Sequence, residues 1–524
     1  MRKPILNMRN SLFIILTGIS ILTRAADVEV TTYGAKGDGS TVNTIAIQKS
    51  IDACAASGGG KVIFPAGNFM SATVVLKSNV TLYLADGCTL TGVKGASNYP
   101  YQQAGIPFYG ENWAKQALIY ANKAENIGIE GAGTIDGQGA SFEINTIKKP
   151  DRYMNRPYLI WFVGCKKVSV KQVHLRNSAF WMQHYLGCED VVIDGISIWN
   201  HSNKNNDMID IDGCKNVLIT NVNGDSDDDG LTLKSTSKLI SENIVISNCV
   251  FSSHCNGLKF GTESTGGFRN VTISNIVIKP SAQLTTIYGK PAGNSGISLE
   301  MVDGGIMENI TISNVVIDGP QVPLFIRLGN RARKHTDNAA APAIGIARNI
   351  HISNVTATGA DITGSSVIGL ENAIIENVSL SYISLSGSGG AKADAMFRKL
   401  ETLADHYPEA TMFGPLPAYG LFIKHVKGIR LNDISCSFTG TDERPAIALE
   451  NTSDFEIKGS TMGSTANTNA PVYLKNTTRG FITANTVYSP AKHFIWKEGT
   501  VTDVAVSNNH HPKIKSGSNQ TIKK

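Results

Sequence analysis

A short phrase recurs through most of this chain, and its period leaves few folds open. The phrase is an Asn or another polar residue, an alternation of apolar and small polar residues, and then Ser-Asn or an equivalent turn. It reads NVLITNV from Asn216, NIVISNC from Asn243, NVTISNI from Asn270, NITISNV from Asn309, NIHISNV from Asn349 and NVSLSYI from Asn377. Earlier copies begin at Asn126, Lys167 and Asp190, and later ones at Gly428, Phe455 and Phe481. Regular steps run from 23 to 28 residues, and steps of 39, 40, 41 and 51 mark inserted loops. Alternation of period two specifies strands, and no helical pattern lies between them, which removes a βαβ unit. A leucine-rich repeat has a similar period but needs a Leu and Asn frame that is absent. The fold class that remains is all-β, a right-handed parallel β-helix with one coil per repeat. Each coil buries its apolar face against the next, so one domain can exceed the usual size limit.

A second strand series runs beside the first: Ile209–Ile211, Leu231–Leu233, Leu258–Phe260, Ile297–Leu299, Phe325–Arg327 and Leu421–Ile423. It carries acidic residues and is expected to line a groove. Ile47, Ile51, Cys54 and Ala55 fall at helical spacing behind Asn43, a candidate N-cap. This predicts a capping helix near residues 43–55 for a single solenoid domain over 26–515. Ser516–Lys524 reads as a polar tail.

The N-terminus has the pattern of a secretory signal: Arg2, Lys3 and Arg9, an apolar run from Ser11 to Leu22, and Thr23-Arg24-Ala25 at the cleavage position. Export to the periplasm or the extracellular space is therefore expected. The formal charge of +5 drops to +1 without Arg2, Lys3, Arg9 and Arg24, so it argues for neither nucleic acid nor a membrane as partner. No later run is long enough to span a bilayer, and a solenoid of this kind is expected to be a monomer. Cys165, Cys188 and Cys214 recur at one position of three successive copies. Disulfides are one reading; a buried stack of small side chains is the one we favour. Cys54, Cys88, Cys249, Cys255 and Cys436 show no metal-ligand spacing, and no metal or other cofactor is expected.

The chemistry concentrates between Asn205 and Ser235. Ile209–Ile211 and Leu231–Leu233 lie 22 residues apart, and each follows an acidic cluster. If these strands stack about 4.8 Å apart, Asp207 comes close to Asp228 and Asp229. Crowding of Asp225, Asp227, Asp228 and Asp229 should raise at least one carboxyl pKa, which separates an acid from a base. A calcium loop or a solvated acidic turn is the bland alternative for these acids.

The chain resembles the polygalacturonase family (glycoside hydrolase family 28). The likeness rests on YGAKGDG near the N-terminus, Gly133-Thr134-Ile135-Asp136-Gly137, NSAFWMQH at 177–184, Asn205-Asn206-Asp207 and Asp228-Asp229. The resemblance implies inverting hydrolysis, with Asp228 as general acid and Asp207 and Asp229 holding the attacking water. Two family motifs are broken. Asn256 stands where the family has His, and Arg327-Leu328-Gly329 keeps an Arg but loses a Lys. These departures favour a rhamnogalacturonan-directed or exo-acting member on a pectic polysaccharide.

Candidate substrate contacts follow. Asn205 could orient Asp207 or bond a sugar hydroxyl, or simply form a coil corner. Arg327 could grip a carboxylate or pair with Glu300 one coil earlier. Lys234 and Lys259 could add positive potential or snorkel at the surface. His254 could stand in for the family's His. Trp181 and His184 could line a subsite, although a structural role is preferred for the His; Glu263 is suggestive without a role. The insertion from Gly387 to Pro417 could wall one end of the groove. Two alternatives stay open: a calcium-dependent pectate lyase with Arg327 as base, and a non-catalytic β-helix binder.

Overall fold

The computed structural model describes residues 27–144 and 153–511. The signal segment, the tail from 516 and the last residues of the expected domain lie outside them. The described residues form a right-handed parallel β-helix of 37 strands in which every strand pairing is parallel. Each coil returns to the ladder one position further on, giving three ladders along the axis.

The recurring phrase is explained by backbone conformation. Its first residue has a left-handed φ of +52° to +58° at Asn126, Lys167, Asp190, Asn216, Asn243, Asn270, Asn309, Asn349 and Asn377. Five residues later a second left-handed residue follows, for example Asn221, Asn248, Asn275, Asn314 and Asn354. Asn tolerates this region better than most residues. It also stacks: Asn270 Nδ2 donates to Asn243 Oδ1 at 3.1 Å, Asn309 to Asn270 at 3.0 Å and Asn349 to Asn309 at 3.2 Å. The two corners bend one long strand across two ladders, as in Ser241–Ser253, which pairs with both Lys215–Thr220 and Asn223–Ser226. The last copies register on Asp454 and Arg479, one and two residues ahead of the phenylalanines that mark them in the sequence.

The site ladder contains Gln183–Leu186, Ile209–Asp212, Leu231–Ser235, Asn256–Ser264, Ser295–Met301 and Val322–Leu328. Ile209, Leu231, Leu258, Ile297 and Leu324 stack in one inner row; Ile211, Leu233, Phe260, Leu299 and Ile326 stack in the next. All are buried. The sequence reading put Phe325 and Arg327 in this series, one residue out of register. A one-residue slip reverses the face of a strand. Arg327 therefore shares the outward face with Glu300, its ladder neighbour.

A helix spans Thr44–Ala56 and buries Ile47, Ile51 and Cys54 against the first coils. Asn43 occupies its N-cap position without capping: its side chain bonds the backbone of Lys36 and Thr41 instead. All eight cysteines are buried and unbridged. Cys165, Cys188 and Cys214 form the stack, with the Cys188 amide donating to Cys214 Sγ at 3.3 Å. No helix among the described residues is long and apolar enough to cross a membrane.

Candidate active site

The leading ends of the site strands interlock. The Met208 amide donates to Asp229 O at 2.9 Å, the Gly230 amide to Asn256 O at 2.8 Å, and the Met182 amide to Asp207 O at 3.0 Å. Asp207, Asp229 and Asn256 therefore stand on three consecutive coils, because the ladder register leaves the chain no other stacking. Asp228 projects beside them and is the one residue of Asp225, Asp227, Asp228 and Asp229 that is not buried. Its Oδ1 accepts the Asp229 amide at 3.0 Å, and Asn205 Nδ2 lies 3.5 Å from Oδ2.

Two buried lysines meet these acids. Lys234 Nζ lies 3.3 Å from both Asp207 Oδ2 and Asp210 Oδ1, 3.6 Å from Glu263, and 4.3 Å from the centre of the Trp181 ring. Lys259 Nζ donates to Asp229 Oδ2 at 2.9 Å and to the Tyr407 hydroxyl at 3.3 Å, and lies 4.0 Å from Glu300. Neither snorkels; both are within a few per cent of full burial.

Burial raises carboxyl pKa values here more than crowding does. Desolvation inside the packed centre pushes the Asp228 carboxyl up to about 7 although the residue stays partly exposed, with the Asp229 charge adding to it. Asp210 also rises to about 7 through burial, against the pull of Lys234. Asp207 goes well above its ordinary value through burial and then the Asp210 charge. Its Oδ1 has no donor among the protein's groups. Asp229 is held at both oxygens, Oδ2 by Lys259 and Oδ1 by Asn256 Nδ2 at 2.6 Å. Asn256 Oδ1 in turn accepts from the Ser295 hydroxyl at 2.5 Å.

The neighbouring acids do structural work. Asp225 accepts from His201, from the Ser281 hydroxyl at 2.7 Å and from the Ala282 amide at 2.8 Å. Burial acts to raise its pKa, and these bonds outweigh it and hold Asp225 low. Asp227 accepts from the Ile287 and Tyr288 amides at 2.8 and 3.0 Å. Both therefore anchor the 281–293 loop rather than forming an open cation loop. Among the described residues, His201, Asp227 and His254 bring ligating atoms within 4.8 Å of one another. His254, however, faces acceptors on both sides, Asp227 Oδ1 at 2.8 Å and Gln283 O at 2.7 Å. Burial opposes its charge, but these partners keep its pKa raised, and both ring nitrogens are placed to donate. Its ring nitrogens face Asp227 and the 281–293 loop. His184 is buried, bonded to Asp212 at 2.9 Å and enclosed by Tyr158 and Trp181.

Arg327 departs from both sequence readings. Its guanidinium donates to Thr402 O at 2.6 Å and Leu403 O at 3.3 Å and lies over Phe413. Burial without a carboxylate lowers its pKa to about 10. It thus fastens the 387–417 insertion, whose Tyr407 reaches Lys259. Asn205 has a left-handed φ of +54°, as a corner residue would, and contacts Asp228 and Arg156 rather than Asp207.

The sequence reading gave Asp210, Arg331 and Arg333 no role and named Glu300 solely as a ladder partner for Arg327. Asp210 and Glu300 lie on alternating outward positions and could have been found from the register alone. Arg331 and Arg333 come from a basic run at 331–334. Arg331 pairs with Asp303, and Arg333 pairs with Glu263 and stacks over Tyr109. Burial would raise Glu263, yet Arg333 and Lys234 hold it far below its ordinary value. Glu300 is pushed up to about 8 by burial.

Acidic and basic side chains thus gather along the outer face of a parallel β-helix. Residues 54–402 match the model of glycosyl hydrolases family 28, and the chain belongs to that family; it is a glycoside hydrolase. A probable polygalacturonase of Vitis vinifera is 25% identical over 443 residues, covering 78% of this chain and 87% of its own. An exo-poly-alpha-D-galacturonosidase of Dickeya chrysanthemi is 26% identical over 341 residues, and the match spans 56% of that protein. The hyperthermoactive exopolygalacturonase of Thermotoga maritima shares the fold with a TM-score of 0.59 and 25% identity, over 70% of this chain and 88% of that one.

Proposed function

We propose that this protein hydrolyses galacturonosyl linkages in pectic polysaccharide from a chain end, with inversion. The observation that carries the reading is the stacking of Asp207 and Asp229 on adjacent coils with the partly exposed Asp228 beside them. Asp228 has a pKa of about 7 and serves as general acid, protonating the leaving oxygen. Asp207 Oδ1, a buried acceptor with no protein donor, holds the attacking water together with Asp229. A carboxylate with raised proton affinity is the stronger base once ionised. Asn256 and Lys259 orient Asp229. Exo action is supported by the 387–417 insertion, which brings Tyr407 over Lys259, and a pectic substrate by the family.

Product analysis on pectic backbones tests this. The expected outcome is new reducing ends, with the anomeric configuration of the first product inverted by NMR. Monomer or one small oligomer should accumulate without a ladder of sizes. Unsaturated product would overturn the hydrolytic reading, and a broad ladder would overturn exo action.

A further inference from the structure

One buried acid reaches the centre from an irregularity in the ladder. Leu233 pairs with Phe260 but Ser235 pairs with Ser264, so Gly261, Thr262 and Glu263 all fit opposite the single residue Lys234. Extra residues of this kind re-aim a side chain. Here they bring Glu263 Oε2 to 3.6 Å from Lys234 Nζ. The other oxygen, Oε1, accepts from the Arg333 guanidinium and from the Thr262 hydroxyl at 3.3 Å, and Arg331 lies 4.0 Å from it. Arg333 is itself seated over the Tyr109 ring, at 3.5 Å. Side chains from distant segments therefore fix the position of Glu263.

An ammonium group carries three N–H donors. Lys234 meets three carboxylates, Asp207 Oδ2 and Asp210 Oδ1 at 3.3 Å each and Glu263, and lies 4.3 Å from the centre of the Trp181 ring. Asp228 and Asp229 act on Asp207 from the next coil, and Tyr158 faces these groups from two coils before. Arg156 reaches the same loop through Asn205 Oδ1 at 3.2 Å. Without Glu263, the full ammonium charge would fall on Asp207 and Asp210. A carboxylate under an undivided cation gives up its proton more readily and is a weaker base. Arg333 and Lys234 hold Glu263 far below its ordinary pKa, so its charge is present to divide the cation.

We propose that Glu263 is a positioning residue: it holds Lys234 evenly between Asp207 and Asp210 and takes up part of its charge, so that Asp207 keeps the basicity needed to activate water. Arg333 sets how much negative charge Glu263 offers. The inference rests on the proposed role of Asp207 in holding the attacking water.

The test is the pH profile of kcat/KM for the full chain and two variants, on polygalacturonate or a rhamnogalacturonan backbone, whichever the wild type hydrolyses faster. Its acid limb reports the base of the free enzyme. Glu263→Gln keeps an acceptor for Arg333 but loses the charge. The limb should move to lower pH by about 1 unit, and kcat should fall about 10-fold. Arg333→Gln leaves Glu263 less neutralised, so the limb should move to higher pH on the same scale. Thermal melts at the assay pH show that each variant is folded. A merely structural role would lower kcat and the melting temperature while leaving both limbs in place. Limbs that stay put, or that move in the same direction, overturn the inference while hydrolysis stands. If Glu263→Gln does not fold, the sign of the Arg333→Gln shift decides alone. No product from the wild type on either backbone, or unsaturated product, overturns the hydrolytic reading and the inference with it.

Discussion

Lys259 and Asp229 lie 30 residues apart in sequence and 2.9 Å apart in space, on neighbouring coils of the site ladder. The pair is buried, and Asn256 completes the grip on the same carboxylate. In a low-dielectric centre this arrangement acts on the carboxylate more strongly than a surface pair would.

Lys259→Met should therefore remove both the orientation and the charge partner of Asp229. The expected loss in kcat is about 100-fold or more, by analogy with loss of a preorganised charge stabiliser. Breaking a buried pair from one side also costs about 3–5 kcal/mol of stability, read from urea unfolding. An unchanged kcat would show that Asp229 needs no partner for turnover.

Asp228→Asn separates chemistry from folding. Asp228 makes few protein contacts, so the melting temperature at acid pH should hold while kcat falls about 10²–10⁴-fold, the usual contribution of general acid catalysis. A variant that keeps activity would move the acid role to another carboxyl.

Glu300→Gln tests the buried acid through pH. The folded pKa of Glu300 is raised to about 8 by burial, above its value in the unfolded chain. Its contribution to stability is therefore fully present at low pH and is lost as pH rises through about 8. The Gln variant should melt close to wild type at acid pH and higher than wild type at alkaline pH. Thermal melts at both ends of that range check the sign; a gain confined to acid pH would refute it.

Asn309 carries a corner far from the chemistry, with a φ of +57° and ladder bonds on both sides. Asn309→Ala should cost about 2 kcal/mol, from left-handed strain and two lost exposed bonds. Asn309→Gly should relieve the strain and keep only the lost bonds and added chain entropy, giving a different but smaller loss. Activity should be unchanged in both. Equal losses in the two variants would mean that the left-handed corner contributes nothing.

What could be read from the residues followed local rules. Asn corners five residues apart and a period of two between them specify a coil without reference to the rest of the chain. Repetition then obliges the coils to stack, which is why the approach of Asp207 to Asp228 and Asp229 could be argued from spacing. Arg327 shows where that reasoning stops. Its alternation was legible, but a single-residue difference in register decided its neighbours, and an insertion some 75 residues away supplied the carbonyls that hold it.

By itself, then, the sequence determined the β-helix, its corners and the acidic pair of coils, because each depends on backbone conformation and on residues one repeat apart. Only the tertiary structure decided which acids are paired with cations, which are left to hold protons, and which loops close over them. Those outcomes depend on burial and on contacts between distant insertions, and neither quantity has a period that a sequence can display.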